Sequence, residues 1–203
     1  MSSLSLSIIG SGRVATQLAL AFYHKGFSIR QVYSRNINHA KNLAKKVDAA
    51  ATDNLVELKD IESSICLMAV TDDAISSIAS QLSFRYTILA HTSGSVPLEA
   101  ISSAASKYAI FYPLQSFQLH KSPDWKEIPI FLEAHHEIIY PVLERLAKIL
   151  SSKVIRLDSD NRQYLHLAAV FANNFTNHLY HAAYQILNEK GMSFEWLLPL
   201  IKE

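Results

Sequence analysis

Along most of this chain, short apolar runs alternate with stretches whose apolar positions recur at helical spacing. Residues 4–9, 29–34, 65–70, 87–91, 109–113, 128–133 and 154–157 read as strands. Residues 13–24, 40–46, 73–81, 98–105 and 136–151 read as helices between them. Short apolar strands separated by helices predict βαβ units and a mostly parallel sheet. The runs SLSIIG and SSICLMAV lack a clean polar alternation, as strands covered on both faces do.

The pattern changes at Asp158-Ser159-Asp160-Asn161, which has the character of a helix N-cap. Residues 162–189 then read as one long helix, and no strand pattern returns. The chain therefore divides, as a sequence, into an α/β domain over residues 1–157 and a small all-helical C-terminal domain over 158–203. A domain as short as the second struggles to bury a core alone. It is expected to pack on the first domain, to pair with another subunit, or to be missing its end.

On a helical wheel, Leu165, Ala168, Ala172, Phe175, Leu179, Ala183 and Ile186 make one apolar face of the long helix. Arg162, His166, Asn173, Asn177, Tyr180 and Tyr184 form a stripe on the other side, flanked by Asn174, His178, His181 and Gln185. A solvated face normally carries Lys and Glu, which are better helix formers than Asn or His. This neutral hydrogen-bonding face points to a cleft, a domain interface or a partner subunit, and a homodimer through the helical domain is expected.

Composition removes several function classes. Hydrophobic residues make up 49% of the 203 residues and charged residues 18%, so a globular core is expected. The net charge of +1 carries no basic surplus, which argues against a nucleic-acid partner. No apolar run approaches the roughly 18 residues of a membrane helix. The start, MSSLSLSIIGSG, lacks the positive segment and long apolar segment of a secretory leader. The single Cys66 permits no internal disulfide and no cysteine-cluster metal site. A cytoplasmic protein is the expectation, with Cys66 as a buried small hydrophobe. No metal site is expected from the histidines either, His135 and His136 being adjacent and facing apart if helical.

The first strand runs into Gly10-Ser11-Gly12-Arg13-Val14-Ala15, a G-x-G-x-x-A turn that opens a helix. In that context the pattern points to dinucleotide binding. Gly10 permits the tight turn, Gly12 lets backbone approach a pyrophosphate, and Ala15 is small enough for close helix–strand packing. The helix N-terminus offers free N–H groups and a partial positive charge to the phosphates. This predicts a Rossmann doubly wound sheet. About 20 residues on, an NAD site carries an acid for the ribose hydroxyls. Here the second strand ends in Val32-Tyr33-Ser34-Arg35-Asn36. A hydroxyl followed by a guanidinium suits a 2′-phosphate, so NADP (as NADPH) is expected. Beyond the next buried strand, Val70 and Thr71 are expected to line the nicotinamide side, with Asp72 either at ribose or capping a helix. The cofactor-binding set is thus Gly10, Ser11, Gly12, Arg13, Val14, Ser34, Arg35, Asn36, Val70, Thr71 and Asp72.

With these pieces the chain resembles the β-hydroxyacid dehydrogenase-like reductases, a group that includes pyrroline-5-carboxylate reductase, 6-phosphogluconate dehydrogenase and the deazaflavin-dependent NADP reductases. IIGSGRVA, VYSRN and LMAVTDDAI resemble the first of these in cofactor layout. LAHTSGSVPLEAI, FYPLQSF and HLAAVFANNFTNHLY are similar to a family of Rossmann-like oxidoreductases with a dedicated C-terminal helical domain, whose substrate is not established. The resemblance covers essentially the whole chain. Members usually carry a longer helical domain, which implies a shortened or truncated C-terminus here. In related reductases a Lys–Asn pair on the long helix serves the chemistry, and His166 stands where the Lys is implied.

Candidate chemistry gathers at three places. His91 and Ser93, after the fifth strand, suit binding a carboxylate, polarising a carbonyl or holding the nicotinamide amide. Gln115 and Ser116 suit neutral donors to the substrate. His166 or His91 suits delivering the proton that accompanies hydride transfer, with Asn173 or Asn174 orienting the substrate. The expected function is an NADP-dependent oxidoreductase. It would pass a hydride between nicotinamide and a small carbonyl, imine or hydroxy-acid substrate in the cleft between the domains. The alternatives are a non-catalytic NADP-binding sensor or interaction protein and, ranked last, a hydrolase using His91 and Ser93.

Overall fold

The computed structural model describes residues 4–62 and 64–202. The chain divides into two compact units, one ending at Gln163 and one starting at Tyr164.

The first unit alternates as the hydrophobic pattern requires: β1 Ser5–Ile9, α1 Arg13–His24, β2 Ser28–Tyr33, α2 Ile37–Lys46, β3 Ala50–Thr52, β4 Ser64–Met68, α3 Asp72–Ala79, β5 Phe84–His91, β6 Ala105–Pro113, β7 Ile130–Ala134, α4 Tyr140–Leu150 and β8 Val154–Arg156. The strands form one eight-stranded sheet in the order β3-β2-β1-β4-β5-β6-β7-β8. Every neighbouring pair is parallel except β6 and β7. The winding reverses between β1 and β4, which opens a crevice beyond their carboxyl ends.

β1 and β4 are buried along their whole length, consistent with their unbroken apolar sequence. α1 buries Ala15, Leu18, Ala19 and Phe22 at helical spacing. Gly26, at φ +83°, ends its turn, and the Phe27 N–H returns to the Phe22 carbonyl at 3.0 Å. α1, α2 and α4 share one core cluster with the sheet, in which Phe22 meets Phe111 edge-on at 6.1 Å. Each such buried large side chain contributes about 1.5–3 kcal/mol.

Three sequence expectations change. The stretch 98–105 is not a helix: a single 3-10 turn, Leu98–Ile101, follows Pro97, and β6 begins at Ala105 against Phe84 of β5. β3 was missed because its three residues, Ala-Ala-Thr, carry no pattern and draw their ladder from β2 alone. His135 and His136 lie in the bend after β7 rather than on a helix, with ring centroids 4.1 Å apart, and His135 stacks on Tyr108.

The long helix is α5 Ser159–Ala169, a π-helical segment Val170–Phe175, and α6 Thr176–Asn188. A 3-10 turn, Phe194–Leu197, and the short α7 Leu198–Ile201 follow. Asp158 caps α5 by accepting from the Asn161 N–H at 2.8 Å. A π segment closes i→i+5 and advances less per residue than the roughly 100° of an α-helix. The single wheel drawn through residues 162–189 therefore changes phase in its middle. Side chains serve the carbonyls that this irregularity displaces: Thr176 Oγ1 donates to the Phe171 carbonyl at 3.3 Å and Asn177 Nδ2 to the Asn173 carbonyl at 2.8 Å. No residue of α6 is buried. Among the described residues no helix is long and apolar enough to cross a membrane.

Candidate functional site

β1 ends at Ile9, and the chain turns into α1 through Gly10-Ser11-Gly12. The two glycines are needed for different reasons. Gly10 has φ +122°, its N–H donates to the Tyr33 carbonyl at 2.8 Å, and a Cβ on it would stand 2.1 Å from the Ala69 carbonyl oxygen. The close passage of chain beyond β4 demands glycine there. Gly12 has an ordinary φ of −75°, and a Cβ on it would meet nothing within 4 Å. That open space belongs to a crevice of 360 Å³. A side chain at Gly12 would fill what a bound pyrophosphate needs.

The crevice is built for an anion. α1 starts at its rim with no side-chain cap and no acidic residue in the first turn, so its N-terminal N–H groups and partial positive charge are uncompensated. Ser11 Oγ donates to Ser34 Oγ at 2.8 Å, which leaves the Ser34 hydroxyl proton for another acceptor. Arg35 is exposed beside it, and His39 from α2 lines the same wall. None of the lining residues is a carboxylate. These residues fit a dinucleotide with a 2′-phosphate and offer nothing that pairs both hydroxyls of an unphosphorylated ribose.

Gly10, Ser11, Gly12, Ser34, Arg35, Asn36, Val70 and Thr71 line this crevice together. The Asn36 side chain also caps α2, accepting from the Asn38 N–H at 2.9 Å. Three expected members stand elsewhere. Arg13 is an exposed first residue of α1, Val14 packs against the core, and the Asp72 carboxylate accepts the Ser95 hydroxyl. Asp72 lies in the first turn of α3, whose N-cap is Thr71, so it is not the cap. His39 was missed. Its sequence signal is its place one turn beyond the Asn36 cap, on the crevice side of α2.

His91 closes β5 and is fully buried. The Ser93 N–H donates to its Nδ1 at 3.2 Å, and its Nε2 lies 3.3 Å from the Pro97 carbonyl. An imidazole that accepts at one nitrogen and donates at the other is neutral. Burial, then the nearby Arg162 cation, push its pKa down to about 4, against weaker opposite pulls from the Pro97 bond and Asp72. His91 is therefore no proton donor near neutral pH, which corrects the expectation from sequence. Ser93 Oγ accepts from the Ser95 and Val96 N–H groups at 3.1 and 3.0 Å. Ser93 gives His91 its backbone N–H rather than its hydroxyl, so the pair is a turn and not a hydrolase dyad.

Arg162 explains this rigidity, and sequence reasoning gave it no such role. Its guanidinium is fully buried. Nη1 meets Glu133 Oε2 at 2.6 Å, and Nη2 donates to the Val96 carbonyl. Ser159 Oγ donates to the same Glu133 oxygen at 2.7 Å while accepting the Leu98 N–H at 3.0 Å. The loop after β5 is thus pinned to β7 and to the start of α5. The Arg162 Nε has no hydrogen-bond partner among the described residues. Nearby, burial raises the Tyr112 phenol to about 12, although the Arg162 charge opposes this.

Gln115 and Ser116 line a different cavity, of 490 Å³, formed by residues 114–129, where the Gln115 side chain accepts the Ser116 N–H at 2.8 Å. In the second unit His166 is half-buried on α5. Asn173 and Asn174 lie in the π segment, where Asn173 Nδ2 donates to Asn174 Oδ1 at 3.0 Å. Such segments frequently mark functional sites.

Residues 5–91 match the family described as NADP oxidoreductase, coenzyme F420-dependent, and residues 128–203 match a domain of unknown function, DUF2520. No protein of curated function matches. Among solved structures, a provisionally named NADP oxidoreductase from Bacteroides fragilis is 38% identical over 98% of this chain and 78% of its own, with a TM-score of 0.87. A Thermotoga maritima protein is 26% identical over 97% of this chain and 76% of its own, with a TM-score of 0.80. The reductive aminase of Aspergillus terreus, solved with NADPH and ethyl-5-oxohexanoate, shares the fold at 17% identity, covering 99% of this chain and 72% of its own, with a TM-score of 0.67. The chain belongs to the family of the Bacteroides protein, in which an NADP oxidoreductase domain of Rossmann type precedes a DUF2520 helical region.

Proposed function

We propose that this protein is an NADP(H)-dependent oxidoreductase acting on a small carbonyl, imine or hydroxy acid. The observation that carries the reading is the crevice at Gly12: open space where a side chain would stand, beside an uncapped helix and a carboxylate-free wall bearing Ser34 and Arg35. The family match over residues 5–91 supports it, since those residues include every element around the crevice.

Bound there, the cofactor supplies hydride chemistry. The Gly10–Gly12 backbone and the α1 N-terminus hold the pyrophosphate. Ser34 and Arg35 hold the 2′-phosphate, the hydroxyl by donation and the guanidinium by charge. Val70 and Thr71 stand toward the nicotinamide side. With His91 held neutral, His166 is the proposed proton donor, and Asn173 and Asn174 are the proposed orienting groups. Pairing of two copies through the helical unit belongs to the same reading. It is supported by Leu179, Trp196 and Leu200, which are 67%, 69% and 70% exposed. Light scattering at the mass of one chain would remove that part.

The test follows nicotinamide absorbance. NADPH is mixed with a panel of small oxo acids, ketones and cyclic imines, and NADP⁺ with hydroxy acids. The reading expects turnover with one member. It also expects a His166→Gln variant that binds NADPH normally and turns over at least about 100-fold more slowly. Tight NADPH binding with no turnover across the panel would favour a nucleotide-binding sensor instead.

A further inference from the structure

A further cavity lies at the opposite, amino-terminal end of the sheet's parallel strands. Its volume is 740 Å³, about twice that of the nucleotide crevice. It opens between the α1–β2 connection at Gly26 and Phe27 and the helix α4, and Tyr86 and Ile88 of β5 line it. Leu4, Phe27, Ile88, Val142 and Ile149 give it apolar walls. Three charged residues line it: Lys107 from β6, Arg145 from α4 and Glu62. Lys107 is half-buried on the sheet, and neither it nor Arg145 has an ion-pair partner among the described residues. Their neighbour Lys148, by contrast, is paired with Glu144 at 2.9 Å. Two unpaired cations therefore face one carboxylate over an apolar floor, in a volume typical of small-molecule sites.

We propose that this cavity binds a free amphipathic carboxylate, an aromatic or medium-chain aliphatic acid. The apolar body lies on Phe27, Ile88 and Val142, and the carboxylate meets Lys107 and Arg145. Lys107 is half-buried, which strengthens its attraction for an anion relative to open solvent, and the exposed Arg145 adds a second charge at the mouth. The five residues of β1 span about 17 Å. An acid held at the amino-terminal end is therefore out of reach of hydride chemistry beyond the carboxyl end. It acts as a stabilising ligand, and the site stands whether or not the proposed reaction does.

The experiment is calorimetric titration of the full chain with decanoate and, separately, with 1-decanol, in the presence and absence of saturating NADPH. Decanoate is expected to bind at one site, at least about tenfold tighter than the alcohol, and to be unmoved by NADPH. Lys107→Gln and Arg145→Gln are each expected to weaken it about tenfold while leaving the NADPH Kd unchanged, and Val142→Trp, which fills the cavity, to abolish it. Equal binding of acid and alcohol, displacement by NADPH, unchanged affinity in both glutamine variants, or no binding of decanoate would each overturn the proposal.

Discussion

The carbonyl oxygen of Ala69 stands 2.1 Å from where a Cβ on Gly10 would lie, whereas a Cβ on Gly12 would touch nothing within 4 Å. Two glycines of one motif thus separate into one that the fold demands and one that leaves space open in the crevice. Gly10→Ala brings a clash with backbone and a φ of +122° together. It is expected to lower stability by about 3 kcal/mol or more in urea unfolding. Gly12→Ala is expected to unfold within about 1 kcal/mol of the parent and to bind NADPH at least about tenfold more weakly. The reverse pattern would mean that the crevice is not the binding surface.

The proposed 2′-phosphate contact of Arg35 predicts a difference between the two dinucleotides. Arg35→Ala removes a charge-assisted partner worth about 1.5–3 kcal/mol, a factor of about 10–100 in NADPH affinity. NADH, which lacks that phosphate, is expected to change by less than about threefold. Parallel fluorescence titrations of both nucleotides check this, and equal losses would place Arg35 elsewhere on the ligand.

His91 predicts a pH dependence of stability. The unfolded chain takes up its proton near pH 6.5 and the folded chain only near pH 4. Between those values the unfolded state binds more protons, so stability falls as pH falls, by up to about 3 kcal/mol. Thermal unfolding between pH 7 and pH 4.5 is expected to show a shallower decline for His91→Gln than for the parent. Parallel curves would show that His91 is not buried as a neutral group.

Arg162 and Glu133 form a buried pair, Arg162 fully and Glu133 mostly covered. Arg162→Met leaves Glu133 uncompensated and is expected to lose about 3–5 kcal/mol. Adding Glu133→Leu to Arg162→Met is expected to recover a large part of that loss, a coupling that a double-mutant cycle reads directly. Simple additivity of the two losses would contradict the pairing.

The strands and the glycine turn were legible because their signals are local: apolar runs of the right length, and a motif placed between a strand and a helix. α1 agrees with the expected 13–24 to the residue. What escaped was set by tertiary context. Three residues of Ala-Ala-Thr become β3 only because β2 offers a free edge. His91, polar and two residues before a serine, read as chemistry, while its burial and its bond to the Pro97 carbonyl come from a loop that only folding brings back. Arg162 read as one member of a polar stripe. Its carboxylate partner is 29 residues away in sequence, beyond any helical spacing. The π segment carries no sequence rule at all, and it rotates the face on which His166 and Asn173 were aligned.

The most direct test of the account is a side-by-side calorimetric titration of the full chain with NADPH and NADH, repeated on Gly12→Asp. The account predicts one site per chain, NADPH preferred by at least about tenfold, and loss of both in the variant, where a side chain and a negative charge enter the pyrophosphate space. A chain that binds neither nucleotide, or that binds both unchanged with aspartate at position 12, would contradict it.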